Sequence, residues 1–403
     1  MDYQARVLQF SDADQAVAWL KRLNCDPAGI AIMAPKAIFR SICVEHVPAK
    51  AANLLKQTFL AKGAEVAVAR GTADLSVEYT DVLICGTLKH YRLALAQLRQ
   101  QPWGLPDLAK AVEQALAINA SLLRRQYVVH DRSWSIEPGR TLVMGILNLT
   151  PDSFSDGGRH NELEAAVERA KQLTAEGADL LDIGAESTRP YGANPITAQE
   201  EMNRLLPVLE KVLAAVEIPV SIDTYKSEVA DRALQMGAHI LNDIWGLQQD
   251  PDMAKVAAKH GVPIIVMHNR NSLESARDIM SEMTDFFRRS VEIGITAGIA
   301  EDRFIIDPGI GFGKNTAQNL EVLGRLAELS ALGQPILVGT SRKRFIGDIL
   351  GLPVEERLEG TGATVVHSVL NGASIVRVHD VKQVKRMTLM ADALQGWRTF
   401  NHG

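Results

Sequence analysis

The chain has 403 residues, with 43 basic against 48 acidic side chains and a net charge of −5. Hydrophobic residues at 46% and charged residues at 23% are ordinary globular values, which exclude collagen, coiled coil and general disorder. The length asks for two domains or one large barrel with an appendage, and the mildly acidic balance argues against a dedicated nucleic-acid or membrane-surface protein.

The N-terminus, MDYQARVLQF, lacks a basic segment leading into an apolar stretch, so no secretory signal is expected. No apolar run approaches the ~18 residues needed to span a bilayer. Cys25, Cys43 and Cys85 form neither a disulfide framework nor a metal spacing, and read as buried structural thiols of a reducing compartment. A cytoplasmic location is the expectation.

Residues 1–120 read as a small α/β domain of unknown function. Segments 29–33, 65–69 and 81–85 read as strands, and 51–62, 89–99 and 105–116 as helices. Lys36, Lys56, Arg70, Lys89 and Arg92 read as solvated faces. Residues 121–139 read as a linker and a hairpin at the barrel entrance, ended by Pro138-Gly139.

Residues 140–399 follow a different rhythm. Apolar runs fall at 141–147, 179–185, 219–222, 239–244, 262–267, 304–306, 335–338 and 374–378. Between them lie amphipathic segments, among them 162–176, 198–216, 226–236 and 315–331. Parallel strands covered by helices read as continuous hydrophobic runs. Eight such units predict a TIM (β/α)8 barrel, whose usual size is ~250 residues. A doubly wound sheet would carry a G-x-G-x-x-G turn after its first strand, and none is present.

Active sites of such barrels sit at the carboxyl ends of the strands, and polar residues gather there. The first run ends at Asn148, the second in Glu186-Ser187-Thr188-Arg189-Pro190 and the third in Asp223-Thr224-Tyr225-Lys226. The fourth contains Asn242-Asp243, and the fifth ends in His268-Asn269-Arg270. The last three end at Asp307, in Thr340-Ser341-Arg342-Lys343-Arg344 and at Arg377-Val378-His379-Asp380.

Asp223, Asn242 and Asp307 point into a low-dielectric mouth and need partners there. A flat heterocycle with an N–H beside an amino group offers a carboxylate two parallel hydrogen bonds. Asn242 can donate and accept on the same ring, and Lys343 can donate to a ring carbonyl or nitrogen. Arg189, Arg377 and His379 suit a diphosphate, with Thr188 adding a hydroxyl. In a closed barrel the first strand lies between the second and the eighth, which sets Asn148 among these basic groups. Its neutral oxygen suits Mg²⁺ shared with phosphate and water. His239 and His268 read as core residues, and no spacing resembles a zinc site. The loops after the first two strands, with Gly157-Gly158 and Gly192, suit lids.

MGILNLTPDSFSDGG at 144–158 resembles the first signature of the dihydropteroate synthase family, and DIGAESTRP at 182–190 its second. SIDTYK, LNDIWG, DPGIGFGK, GTSRKRFIG and VRVHDV follow in the family's order, so the resemblance covers about 126–397. It implies condensation of a dihydropterin methyl diphosphate with 4-aminobenzoate, releasing diphosphate, in a sulfonamide-sensitive step of folate synthesis. It implies Asn148 as the Mg²⁺ ligand and Thr188, Arg189, Arg377 and His379 around the diphosphate. Asp223, Asn242, Asp307 and Lys343 would hold the pterin, with Asp223, Lys343, Arg377 and Asp156 as the catalytic set. Phe154, Asp156, Pro190, Phe312 and the 343–344 backbone would form the aminobenzoate site. Arg344 stands where relatives carry a small serine, and His268-Asn269-Arg270 departs from a more usual His-Met-Gln. A homodimer through outer helices is implied as well.

The reaction needs no strong base, because a neutral arylamine is already nucleophilic. It needs stabilisation of the departing diphosphate, and an SN1-like substitution is the expectation. Three alternatives stand beside it. They are a methyltetrahydrofolate–corrinoid methyltransferase, a non-catalytic pterin-binding module and an aldolase-like barrel with Lys343 as Schiff-base nucleophile.

Overall fold

A computed structural model describes residues 3–10, 12–117, 123–149, 158–186, 195–270 and 277–400. The chain divides into two compact units, Met1–Ile118 with Trp397–Gly403, and Asn119–Gly396.

The first unit contains α1 (Ala13–Arg22), α2 (Pro27–Ala37), β1 (Phe39–Pro48), α3 (Ala49–Leu60), β2 (Glu65–Val68), β3 (Tyr79–Thr87), α4 (Leu88–Leu98) and α5 (Leu105–Ala117). The strands form an antiparallel sheet in the order β1-β3-β2. Leu55, Phe59, Ile84, Tyr91 and Leu98 form its core, and the buried Tyr91 hydroxyl donates to Ile84 O at 2.8 Å.

Three expectations fail in this unit. Segment 29–33 is helical, because Asp26 accepts the N–H groups of Ala28 and Gly29 and Pro27 opens the first turn of α2. Strand β1, absent from the sequence reading, alternates exposed Phe39, Ser41 and Cys43 with half-buried Ile42 and Val44. The cysteines are not buried thiols either: Cys25 and Cys43 are exposed and Cys85 is half-buried. Cys43 and Cys85 lie on the outward face of the sheet, opposite Leu83 and Ser41.

The second unit opens with the hairpin β4 (Arg125–Val129) and β5 (Arg132–Ile136). The barrel strands follow: β6 (Leu142–Asn148), β7 (Leu180–Gly184), β8 (Val220–Asp223), β9 (Ile240–Asp243), β10 (Ile264–Met267), β11 (Phe304–Asp307), β12 (Ile336–Val338) and β13 (Ala373–Val378). They close into a parallel barrel in chain order, with β6 between β7 and β13. The helices are α6 (Gly158–Ala175), α7 (Ala198–Ala215), α8 (Ser227–Gln235), α9 (Met253–His260), α10 (Ile279–Ala297), α11 (Thr316–Gly324), α12 (Arg344–Leu350), α13 (Leu358–Leu370) and α14 (Val381–Phe400). Capping boxes start α7 at Thr197 with Glu200 and α11 at Asn315 with Gln318. The predicted helix 315–331 ends at Gly324 and continues as a 3₁₀ segment, Leu326–Leu332.

The barrel interior is layered. At the amino ends of the strands, Leu180, Ile240, Ile265, Ile305, Leu337 and Ile375 form an apolar plug with Tyr127 and Ile136 of the hairpin. The hairpin thus packs into the amino end of the barrel core. Arg125 and Arg132 staple it to Gly333 O and Val216 O, each at 3.0 Å. One pleat further along, alternation turns Asp182, Asp223, Asn242, Asp307 and Arg377 into the same interior. The fold thus separates an apolar floor from a charged mouth.

Among the described residues no helix is long and apolar enough to cross a membrane.

Candidate active site

Arg377, on β13, reaches across the barrel. Its Nε donates to Asp182 Oδ2 at 2.6 Å and its Nη2 to Asp223 Oδ2 at 2.8 Å. Asn242 Nδ2 donates to the same Asp182 oxygen at 3.1 Å. Asp182 is fully buried, and Asp223 nearly so. Asp223 Oδ1 is buried and has no hydrogen-bond partner among the described residues. An acceptor stripped of water in this way is a place for a ligand's donor. Because Asn242 spends its N–H on Asp182, its carbonyl oxygen remains as a second acceptor.

Asp307 lies at the end of β11, where one oxygen accepts Gly309 N–H at 2.7 Å. Lys343 stands half-buried at the N-cap of α12, its Nζ 4.1 Å from the centre of the Phe312 ring. Asp223, Asn242, Asp307, Phe312, Lys343 and Arg377 line one cavity. The structure thus brings together six of the residues expected from the sequence.

Burial sets the protonation of this mouth. It pushes Asp223 up to about 7, with Arg377 opposing and Asp182 and Glu201 adding to the rise. It pushes Asp307 up to about 6, against the Gly309 N–H and the charges of Lys343 and Arg377. His379 is pushed down to about 3 by burial and by Arg377, so its ring is neutral. Ser341 Oγ lies 3.0 Å from His379 Nδ1 and accepts the His379 backbone N–H at 3.2 Å. Buried between these two contacts, Ser341 orients the ring.

Asn148 ends β6, opposite Gly184 of β7, with Arg377 on the adjoining β13. The expected neighbourhood of β7, β6 and β13 is present. Thr188, Arg189, Pro190, Phe154 and Asp156, with Gly157 and Gly192 of the predicted lids, lie outside the described residues, whereas Gly158 opens α6.

Several polar residues at the strand ends serve the scaffold. Asp243 accepts Trp245 N–H at 2.9 Å and Leu247 N–H at 2.7 Å and shapes the turn after β9. Lys226 joins Glu186 and Glu201 at 2.5 and 2.6 Å, and Tyr225 donates to Glu186 at 3.1 Å. Arg342 pairs with Asp380 through contacts of 3.0 and 2.6 Å. The Arg344 side chain is largely exposed, 3.6 Å from Asp348 on its own helix. His268 is buried, and burial with Lys314 pushes it down to about 2. His239 is a core residue that accepts Val220 N–H at 3.2 Å.

Asp182 is the site residue that the sequence reading passed over. Its signal was present: an acid in the middle of the apolar run 179–185, flanked by Leu180, Leu181 and Ile183. In a strand buried on both faces, such an acid requires a cationic or amide partner in the interior.

Gly309 has φ +63°, and a Cβ there would lie 2.1 Å from His268 O. A left-handed residue with a side chain costs about 1–2 kcal/mol before any clash. Gly309→Ala is therefore expected to destabilise the barrel by more than about 2 kcal/mol, seen as a lower denaturant midpoint at unchanged slope.

A family model described as pterin binding enzyme matches residues 144–379. The chain belongs to the pterin binding enzyme family. Among its members, the dihydropteroate synthase of Bacillus subtilis (strain 168) is 52% identical over 277 residues, covering 68% of this chain and 96% of that protein. A crystal structure of Xanthomonas albilineans dihydropteroate synthase with 4-aminobenzoic acid superposes with a TM-score of 0.65 at 40% identity, covering 68% of this chain and 99% of that one. A probable bifunctional folylpolyglutamate synthase/dihydropteroate synthase of Halobacterium salinarum is 38% identical over 396 residues, 94% of this chain and 46% of that protein. An alignment of that span takes in most of the first unit as well.

Proposed function

We propose that this chain is a dihydropteroate synthase, joining (7,8-dihydropterin-6-yl)methyl diphosphate to 4-aminobenzoate and releasing diphosphate. The observation that carries the reading is the Asp182–Arg377–Asp223 array with Asn242, opening on a cavity shared with Asp307 and Lys343.

Asp223, Asn242 and Asp307 supply acceptors for the ring N–H and amino groups, and Lys343 supplies a donor. The same carboxylates stabilise a pterin that turns cationic as its C–O bond to the diphosphate lengthens. That favours an SN1-like course over one driven by a base. Arg377 spends Nε and one Nη on the buried carboxylates, so its remaining edge is the one available to the diphosphate. An anion placed beside His379 would favour the protonated ring. Arg189 and Thr188 complete the diphosphate site in this proposal, and Phe312, Phe154, Pro190 and Asp156 the aminobenzoate site.

Mg²⁺ fits the donor set. Asn148 offers one neutral oxygen at the rim, and the described residues contain no group of three His, Cys, Asp or Glu side chains able to hold a metal. An ion that keeps waters and takes its other oxygens from a diphosphate suits such a rim. When bound, it would neutralise charge on the leaving group. A homodimer and a cytoplasmic location belong to the same proposal.

The methyltransferase alternative has no use for a cationic rim at β13. The Schiff-base alternative predicts borohydride trapping of Lys343 with a carbonyl substrate, which this reading does not.

The reading is tested by assaying the purified chain for 7,8-dihydropteroate, with a sulfonamide competing against 4-aminobenzoate. No product, with both substrates bound, would remove it. The pH dependence has a defined sign. Burial raises Asp223 to about 7 and Asp307 to about 6, and ring donors bind their ionised forms. Pterin affinity is therefore expected to fall below pH 7, approaching tenfold per pH unit for one required deprotonation. Calorimetry from pH 5 to 8.5 checks this, and flat affinity would contradict it.

A further inference from the structure

The segment from Asp307 to Lys314 follows β11 and carries Phe312. It folds back on its own last side chain. Lys314 is buried, and its Nζ lies 2.9 Å from His268 Nδ1, 3.3 Å from His268 O, 3.1 Å from Gly309 O and 3.1 Å from Phe312 O. All four partners are acceptors when neutral His268 carries its proton on Nε2, the nitrogen that faces Glu282, and they surround the amine from two segments of chain. A second side chain grips the far end. Arg270, after β10, donates from Nε to Gly313 O at 2.6 Å and from Nη1 to Glu282 of α10 at 2.8 Å. Asn319 of α11 takes the intervening Gly311 N–H at 2.7 Å.

We propose that Lys314 and Arg270 are positioning residues for the arylamine side of the site. The amine of Lys314 and the guanidinium of Arg270 fix the loop that presents the Phe312 ring to the second substrate. The inference rests on the synthase reading above. Neither side chain lines the cavity; they act through backbone carbonyls.

The division of labour follows from the contacts. Asp307 is held by β11 and by its own bond to Gly309 N–H. The backbone of Lys343 is held by Thr340 O at 3.2 Å and by Arg357 at 3.4 Å. Neither of these backbone contacts involves the Gly311–Gly313 stretch, although the Lys343 side chain rests on it, with Nζ over the Phe312 ring. Phe312 depends on the clamps directly, because its carbonyl is one of the groups that Lys314 binds and the next carbonyl is the one that Arg270 binds. Loss of either clamp therefore moves the arylamine surface first and leaves the Asp223, Asn242 and Arg377 array, which does not touch this loop, in place.

The test compares wild type, Lys314→Met, Arg270→Ala and Arg270→Gln, the last keeping a donor for Gly313 O. For Lys314→Met and Arg270→Ala the expected result is a KM for 4-aminobenzoate raised at least about tenfold, with the Kd for the pterin diphosphate within about threefold of wild type. Arg270→Gln is expected to recover most of the Arg270→Ala loss. A general weakening of the fold would not separate the two substrates or be rescued by an amide. Equal changes for both substrates, or no change for either, would overturn the proposal. If Lys314→Met does not fold, the Arg270 pair decides alone. A wild-type chain that makes no dihydropteroate would refute the functional reading; an active wild type without the split refutes only this inference.

Discussion

Replacing Arg377 by Met is expected to abolish turnover and weaken the barrel together. Its guanidinium holds Asp182 at 2.6 Å and Asp223 at 2.8 Å, and both carboxylates are buried. Removing one partner of a buried ionic array leaves uncompensated charge and costs about 3–5 kcal/mol. Part of that cost is relieved if one carboxyl takes up a proton, so the loss should be smaller at pH 5 than at pH 8. Turnover should fall by at least about 10³-fold, since the variant loses a cation aimed at the leaving group as well as the order of Asp223. Chemical denaturation at the two pH values, with kcat/KM on the folded protein, checks both parts. Adding Asp182→Asn should restore stability without restoring activity. A single variant as stable as wild type at pH 8 would show that the array is not the keystone described here.

Lys343→Ala is expected to behave differently. Lys343 is half-buried at the N-cap of α12, with its Nζ over the Phe312 ring. Its removal leaves no carboxylate stranded as Arg377→Met does, because Asp223 keeps Arg377 and Asp307 keeps the Gly309 N–H. The fold should hold to within about 1 kcal/mol. The site loses a charged donor to the ring, however, and kcat/KM should fall by about 10²–10³. Calorimetric pterin binding, beside an unfolding midpoint, separates the two effects.

Much of this site is legible in the sequence because barrel physics orders it. Strands covered on both faces must be apolar throughout, so 141–147 or 262–267 could not hide. Polar residues gather where those runs stop, so Asp223, Asp307 and Lys343 announced themselves by position, and Arg377 by standing one residue before the end of its run. Asp182 did not, because it interrupts a run instead of ending one. The first unit was harder. Its sheet has one open face, so β1 alternates exposed and half-buried residues and lacks a continuous apolar signature. The run Gly29-Ile30-Ala31-Ile32-Met33 looked strand-like, yet Asp26 and Pro27 just before it start a helix. Composition placed the cysteines indoors, but Cys43 fell on the open face of that sheet. His268-Asn269-Arg270 carried no weight in the sequence, since a buried scaffold contact to a backbone carbonyl leaves no pattern in the residues around it. It is the Arg270–Gly313 bond that gives this stretch its meaning.

The most direct test of the account is diphosphate release from the pterin diphosphate in the presence of Mg²⁺, with and without 4-aminobenzoate, on wild type and Lys343→Ala. The account predicts release coupled to 7,8-dihydropteroate formation in wild type, and its loss in a variant that keeps the wild-type unfolding midpoint. A folded wild type that binds the pterin diphosphate and releases nothing would contradict it.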